Sequence, residues 1–248
     1  MQNISNIWDK KASQYNRFSH DKTSFQHLVL NKVAHRGISF GGKTILDIGC
    51  GTGVYTLHIA KNALHVTALD FSQEMLNILH HDAIQEGLEK KFTLACHTWS
   101  DFKPDTPFDI IFSSMSPAFK SDADFAKMHT LSREYCVYLG WRGKRESTLL
   151  DPIFKVHGKP LNVPEGSEKL KIWLEKEGIA YACEYIEETR TVTKSYEQAY
   201  ESVLWHFEIN AITPDEEIIA CYLEPMKNSE GNIDIHTTVG VELISWKK

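Results

Sequence analysis

The stretch Lys43–Gly53, which is KTILDIGCGTG, predicts a strand, a tight glycine-rich turn and the start of a helix. Its first part, Lys43–Ile48, is a short apolar run of the kind found in buried strands. Glycine then recurs at every second position, and glycine lets a backbone turn sharply and approach a ligand with no Cβ in between. The helix predicted over Val54–Asn62 directs its first N–H groups towards whatever fills the turn. This unit is therefore the first candidate for a binding site.

Alternating strands and helices continue after this unit. The predicted strands are Leu64–Asp70, Phe92–Trp99, Phe108–Ser113 and Tyr135–Trp141. The helices between them are predicted at Ser72–Glu86 and Asp122–Glu134. The inner face predicted for the first of these helices consists of Met75, Leu76, Leu79, Ala83 and Ile84. Repeated strand–helix units with apolar strands indicate a mostly parallel sheet with helices on both faces.

Segments on either side of the core, residues 41–145, are expected to add a lid and a cap. Two helices within residues 1–40 form the predicted N-terminal helical lid. Residues 146–248 carry weaker patterns, with helices predicted at Pro164–Gly178, Ser195–Phe207 and Pro214–Tyr222 and strands at Ala180–Thr193 and Ile233–Trp246. The helices within about 195–225 are a late insertion that forms a predicted cap. We therefore expect one α/β domain, 1–248, with a Rossmann-like, seven-stranded sheet.

The composition excludes several classes of protein. Hydrophobic residues make up 42% of the 248 residues and charged residues 24%, which is typical of a globular chain and not of a disordered or fibrous one. The 27 basic and 33 acidic residues give a net charge of −6, which does not favour a nucleic-acid partner. The cysteines are well separated, the N-terminus has no signal-peptide pattern, and no apolar run is long enough to cross a membrane. These features predict a cytoplasmic chain with no metal site and no membrane partner.

A second acid strengthens the binding-site hypothesis. Asp47 leads the glycines in a D-x-G-x-G-x-G pattern. Asp70 ends the next predicted strand, about 20 residues further on, where an acid can accept hydrogen bonds from a ribose. Two other nucleotide-binding patterns fit less well. The dinucleotide fingerprint needs two residues before its last glycine, and a phosphate-binding loop ends in Gly-Lys-Ser/Thr, which this chain lacks.

Between Trp8 and Trp141 the sequence resembles the class I S-adenosylmethionine-dependent methyltransferases. The resemblance is carried in order by the aromatic helix pattern W-x-x-x-A-x-x-Y, by ILDIGCGTG, by ALDFS with Met75 after it, and by FDIIFSSMSP. It implies that the chain binds S-adenosyl-L-methionine, transfers its methyl group and releases S-adenosyl-L-homocysteine. It does not specify the acceptor.

The resemblance also implies which residues hold the cofactor. They are Tyr15, Asp47, Gly49, Cys50, Gly51, Gly53, Asp70, Phe71, Met75, Thr98, Trp99, Ser113 and Ser114. The glycines would wrap the methionine part of the cofactor, and Asp70 would bind the ribose hydroxyls. Phe71 and Met75 would flank the adenine, and Ser113 and Ser114 would lie at the methionine end.

Two assignments within this set stay open. The family usually has an acid at the end of the third strand for the adenine contact, but Thr98 stands there, with Trp99 and Asp101 as rival candidates. Tyr15 would close over the methionine end, and it is a candidate catalytic residue together with His20, which would act as a base. Core packing is the alternative interpretation of Tyr15.

The loop after the fourth strand bears on the acceptor. Family members that methylate nucleic-acid amines carry Asn/Asp-Pro-Pro-aromatic there, whereas this chain has Ser116-Pro117-Ala118-Phe119. Together with the negative charge, this favours a small-molecule acceptor. The candidate acceptor contacts are Met115, Ser116, Tyr200 and Trp205. The alternatives are an RNA or protein methyltransferase and a non-catalytic S-adenosylmethionine-binding protein, and the oligomeric state is open.

Overall fold

The computed structural model of the chain describes residues 4–161 and 166–248. Its helices are α1 (Ile4–Ala12), α2 (Phe25–His35), α3 (Thr56–Ala60), α4 (Gln73–Gln85), α5 (Asp122–Leu131), α6 (Leu150–Val156), α7 (Gly166–Lys176), α8 (Tyr196–Ile209) and α9 (Glu216–Leu223). Its strands are β1 (Thr44–Ile48), β2 (His65–Asp70), β3 (Phe92–Cys96), β4 (Phe108–Ser114), β5 (Ser132–Ser147), β6 (Tyr181–Lys194) and β7 (Ile233–Lys247). Within these residues no helix is both long and apolar enough to cross a bilayer.

The strands form one sheet in the order β3-β2-β1-β4-β5-β7-β6. Strands β1 to β5 pair in parallel. Side-chain contacts show that β6 and β7 run in opposite directions. The hydroxyls of Thr189 and Thr238 lie 3.1 Å apart. Thr193, four residues later on β6, donates to Asp234, four residues earlier on β7. The predicted Rossmann-like, mostly parallel seven-stranded sheet is therefore confirmed.

Local sequence signals explain where helix α4 begins and ends. The Ser72 side chain accepts a hydrogen bond from Met75 N–H at 3.2 Å and caps the helix. Gly87 follows the helix with φ +66°, a left-handed conformation that glycine adopts without strain. The prediction that Ile84 lies on the inner face is wrong, because 54% of it is exposed. The rest of the predicted inner face is buried: Met75, Leu76, Leu79 and Ala83.

Contacts divide the chain into two compact units. Unit 1 comprises Met1–Gly140, Glu165–Tyr185 and Glu242–Lys248, and it contains the glycine turn. Unit 2 comprises Trp141–Pro164 and Ile186–Val241. Each unit has its own apolar core, and the domain organisation predicted from the sequence stays a prediction. Large buried side chains of unit 1 include Leu46, Phe112, Phe125 and Tyr138, and those of unit 2 include Phe154, Val203, Phe207 and Ile219.

Several boundaries differ from the sequence prediction. Strand β5 continues six residues past Trp141 to Ser147, through the polar stretch Arg142–Ser147, because pairing in a sheet does not require apolar side chains. Helix α6 was not predicted, since its seven residues are too few to show a helical period. Strand β3 ends at Cys96. The predicted helix start at Pro164 lies outside the described residues.

Candidate functional site

The glycine turn after β1 adopts left-handed conformations, with φ +72° at Gly49, +54° at Gly51 and +86° at Gly53. A Cβ atom added at Gly49 would collide with the Ser116 side chain, and one at Gly53 would collide with Leu79. These two glycines are therefore required by packing within the protein. Apart from its two chain neighbours, a Cβ at Gly51 would meet no atom of the described residues within 4 Å. Gly51 thus faces space that a ligand can occupy.

Asp70, the last residue of β2, joins this turn to the start of α4. One carboxylate oxygen accepts the Gly51 N–H at 2.9 Å, and the other accepts the Ser72 N–H at 2.9 Å. Burial raises the pKa of Asp70, and the backbone N–H donors oppose that shift. Each carboxylate oxygen can accept a second hydrogen bond. Asp70 therefore fixes the turn and still offers acceptor capacity to a ligand.

Asp47 is buried below the same turn. Its carboxyl accepts a hydrogen bond from the Thr56 hydroxyl at 2.7 Å. Burial raises the pKa of Asp47 to about 7; the Thr56 hydrogen bond acts against this shift, and the negative charge of Asp70 adds to it. A carboxyl with such a pKa changes its charge readily near neutral pH. A cationic ligand group nearby would favour the ionised form.

The N-terminal lid is anchored to this region at several points. The Thr52 hydroxyl donates to the backbone carbonyl of Asn16 at 2.5 Å, which ties the lid to the glycine turn. The Ser72 hydroxyl donates to Asp9 at 2.5 Å, which ties α1 to the first turn of α4. Further along α4, Arg17 forms an ion pair with the buried Asp82. These residues were not singled out in the sequence, because nothing in their local spacing marks the partner of any of them.

Aromatic rings connect the lid with the end of β2. The Trp8 ring packs edge-on against Tyr15, with 6.1 Å between centroids, and against Phe71, with 6.4 Å between centroids. Tyr15 keeps 39% of its surface exposed. The structure therefore brings two of the predicted cofactor residues, Tyr15 and Phe71, to the same aromatic group.

The loop after β4 forms another side of the turn. The buried Ser113 hydroxyl donates to the carbonyl of Ile48, the last residue of β1, at 2.9 Å. Met115 has φ +50° although it is not glycine, and its N–H donates to the Leu139 carbonyl at 2.7 Å. A left-handed residue of this kind costs about 1–2 kcal/mol, and such strain concentrates at functional sites. Ser116 follows and packs against Gly49.

The remaining predicted cofactor residues near the glycine turn are buried or partly buried. Cys50 is buried, and burial raises its thiol pKa well above the usual value. Met75 is buried at the start of α4. Ser114 is the last residue of β4 and is partly buried. None of these positions excludes the cofactor contacts that the resemblance implies.

The adenine contact predicted for Trp99 is not supported by its position. The indole is 3% exposed, its N–H donates to the Asp124 carbonyl at 3.3 Å, and the Lys127 ammonium lies 4.1 Å from the ring centroid. These contacts commit the side chain to the core. Thr98 is exposed and donates to Asp101 at 2.6 Å, so these two rivals form one polar turn.

His20 lies away from the glycine turn. Its Nε2 atom lies 2.9 Å from a carboxylate oxygen of Glu86, the residue that caps the C-terminal end of α4. At about 1.5 Å per residue, this end of α4 lies about 20 Å from Ser72. This placement gives no support to the catalytic role predicted for His20, which stays a prediction.

Two predicted acceptor contacts belong to unit 2. Tyr200 lies on α8, and its ring stacks with Tyr196 at a centroid distance of 6.4 Å. Trp205 lies on the same helix, and its ring meets His206 edge-on with centroids 4.8 Å apart. Their role towards an acceptor stays a prediction.

Comparisons with known proteins agree with this geometry. The family described as methyltransferase domain matches residues 45–134. Phosphoethanolamine N-methyltransferase 1 of Triticum aestivum is 30% identical over 123 residues, which cover 44% of this chain and 24% of that enzyme. Malonyl-[acyl-carrier protein] O-methyltransferase of Erwinia billingiae is 29% identical over 129 residues, which cover 50% of this chain and 46% of that protein. The alignments thus span less than half the length of these relatives.

A solved structure extends the comparison to most of the chain. The YcgJ protein of Bacillus subtilis matches with a TM-score of 0.54 and 18% identity, over 90% of this chain and 98% of that one. At that identity the match shows the fold alone. The strand order, the glycine turn with Asp70 and the family match over 45–134 together identify the superfamily. Residues 45–134 thus carry a methyltransferase domain, and these findings support the class I S-adenosylmethionine-dependent methyltransferase superfamily.

Proposed function

We propose that this protein transfers a methyl group from S-adenosylmethionine to a small-molecule acceptor. The observation that carries the proposal is the left-handed Gly51, whose missing Cβ would meet no atom of the described residues within 4 Å beyond its two chain neighbours. At the neighbouring Gly49 and Gly53, protein side chains occupy the position of a Cβ atom. The space at Gly51 is therefore a specific feature of the turn and does not reflect loose packing of the whole loop.

The residues around this space suit the cofactor. Asp70 has acceptor capacity left for ribose hydroxyls, since the Gly51 and Ser72 N–H groups go to different carboxylate oxygens and each oxygen can accept more than one hydrogen bond. The carboxyls of Asp47 and Asp70 favour a cationic group, and the methionine part of the cofactor carries both an ammonium and a sulfonium. When bound, this cofactor supplies a methyl group that is already activated for transfer.

The chain's own contribution to methyl transfer is to orient the acceptor and to exclude water. Anchors from Asp9, Asn16 and Arg17 hold the lid against the glycine turn and α4. The contact between Asn16 and Thr52 holds the N-terminal segment next to the residue that follows Gly51. We assign no general base, since the titratable residues described above hold structural hydrogen bonds.

Three features favour a small acceptor over a macromolecule. The N-terminal segment is anchored beside the glycine turn, where it would enclose a small acceptor. The net charge of −6 opposes a polyanionic partner. The name of one relative specifies phosphoethanolamine, which is a small molecule.

Calorimetric titration with S-adenosylmethionine and S-adenosylhomocysteine tests the proposed site. In the variant Gly51→Ala a methyl group enters the ligand space, so we expect at least a tenfold loss of affinity. The matched control is Gly87→Ala, because Gly87 has φ +66° and also has no neighbour within 4 Å of its missing Cβ. Both variants carry the same cost of about 1–2 kcal/mol for a left-handed alanine. Equal cofactor affinities in the two variants would contradict a cofactor site at Gly51.

Turnover separates the enzymatic proposal from its alternatives. The measurement is formation of S-adenosylhomocysteine with a panel of small amines, phenols and carboxylates, and in parallel with RNA and with protein. Turnover on a small molecule supports the proposal. Turnover only on RNA or protein, or tight cofactor binding with no turnover on any acceptor, would contradict it in favour of the corresponding alternative.

A further inference from the structure

Strand β6 is the terminal strand of the sheet, with β7 as its neighbour on one side. It runs from Tyr181 to Lys194 without a glycine or proline. Residues 189–193 are exposed, and the side chains of Thr189, Thr191 and Thr193 already contact β7. An edge strand of this length presents backbone N–H and C=O groups on which another strand can pair.

The residues of β6 are arranged symmetrically about Thr189. On the face that carries the even-numbered side chains, Glu188 precedes Thr189 and Arg190 follows it. One step further out, Ile186 precedes and Val192 follows. Successive even residues share a face because strand side chains alternate. The sequence therefore places opposite charges, and then two branched apolar residues, at equal distances from Thr189.

This symmetry matters when a strand pairs with a second copy of itself in the antiparallel sense. With the two-fold axis at Thr189, Glu188 of each copy lies opposite Arg190 of the other, and Ile186 lies opposite Val192. Opposite charges directly across an antiparallel pair are stabilising. Val192 is 42% exposed, so the second copy would cover apolar surface. We infer that β6 is a homodimerisation strand whose two-fold axis passes through Thr189.

The neighbouring registers of self-pairing, with the axis at residue 188 or 190, are unfavourable. Moving the axis to residue 188 sets Glu188 against Glu188, and moving it to residue 190 sets Arg190 against Arg190. Charged residues on an edge strand often serve to prevent pairing. In β6 the charges of Glu188 and Arg190 oppose the neighbouring registers and favour the register with its axis at Thr189. Glu188 is already partly desolvated, since burial raises its pKa, and Arg190 opposes that shift.

Charge reversal tests the inferred interface. Glu188→Arg and Arg190→Glu each put like charges opposite one another, whereas the double variant Glu188→Arg/Arg190→Glu restores opposite pairs. Sedimentation velocity over a range of concentrations should show a dimer for the unmodified chain, at least tenfold weaker association for each single variant, and recovery in the double variant. A monomeric unmodified chain, single variants that associate normally, or a double variant that fails to recover would overturn the inference. Circular dichroism checks that each variant is folded.

Cysteine cross-linking tests the position of the axis. The two Thr189 residues would face each other with Cβ atoms about 4.5–5.5 Å apart, so Thr189→Cys should give a disulfide-linked dimer on mild oxidation. Thr191→Cys is the matched control, because each threonine makes one surface contact with β7. Its copies would be separated by about 13 Å along the strands. Cross-linking at residue 191 and not at 189 would contradict the register. The test measures association and does not depend on methyl transfer.

Discussion

Replacing Asp47 by asparagine should make the protein more stable at alkaline pH. Asparagine has nearly the same shape as aspartate, and its carbonyl oxygen can accept the 2.7 Å hydrogen bond from the Thr56 hydroxyl. It cannot ionise. Because burial raises the pKa of Asp47 to about 7, the folded protein favours the protonated carboxyl.

The sign and size of the effect follow from linkage. Between the ordinary value of 3.8 and about 7, the folded state binds more protons at Asp47 than the unfolded state does. Stability contributed by this group is therefore present at low pH and is lost as pH rises through about 7. At about 1.4 kcal/mol per pKa unit, the loss between pH 5 and pH 8 amounts to about 2–3 kcal/mol. Asp47→Asn should abolish this loss.

Urea unfolding at the two pH values measures the difference directly, through the free energy of unfolding of the unmodified chain and the variant. The control is Asp109→Asn. Asp109 has the opposite shift, since hydrogen bonds from Thr44 and Arg133 outweigh burial and lower its pKa. Its contribution is present at neutral pH and is lost on acidification. Unchanged pH dependence in Asp47→Asn would refute the protonated, buried state of Asp47.

Three further predictions concern the lid, a histidine and the core. Arg17→Ala should lower the free energy of unfolding by no more than about 1 kcal/mol, because Arg17 is half exposed. The same variant should speed proteolytic cleavage of the lid. Unchanged cleavage would count against the anchor between Arg17 and Asp82. Burial and, after it, the neighbouring positive charges lower the pKa of His58 to about 4. The stability that neutral His58 contributes is therefore present above pH 6.5 and is lost on acidification. His58→Gln should remove about 1 kcal/mol of that acid sensitivity, read from unfolding at pH 7 and 5. Trp99→Ala should cost about 3–5 kcal/mol of stability as a core truncation, and a stable variant with impaired cofactor binding would reverse that conclusion.

The fold and the conformation of the glycine turn were predictable because their signals are local. An apolar run such as Thr44–Ile48 indicates a buried strand wherever it occurs, and the cap at Ser72 marks the start of α4 within one residue. Glycines at alternate positions require special backbone conformations, which the positive φ angles of the turn show. Asp70 was identifiable because a strand end fixes the place of its side chain.

The lid contacts and the core side chains were not predictable, because they depend on partners far apart in sequence. Arg17 and Asp82 are 65 residues apart, and no periodicity relates them. Trp99 follows β3 in the position expected of a ligand contact, but its indole N–H donates to the Asp124 carbonyl on α5. The face of a strand-end residue depends on packing that one sequence does not reveal.

The charges around the glycine turn connect stability with binding. Asp47 and Asp70 are both buried acids whose pKa values are raised, and the negative charge of Asp70 contributes to the shift at Asp47. Burying an ionisable acid without a cationic partner costs stability. A cationic ligand beside them changes that balance, since it stabilises the ionised carboxyls that burial disfavours. The same two residues that weaken the protein alone would thus strengthen its hold on a cation, which is the property that the cofactor of this superfamily requires.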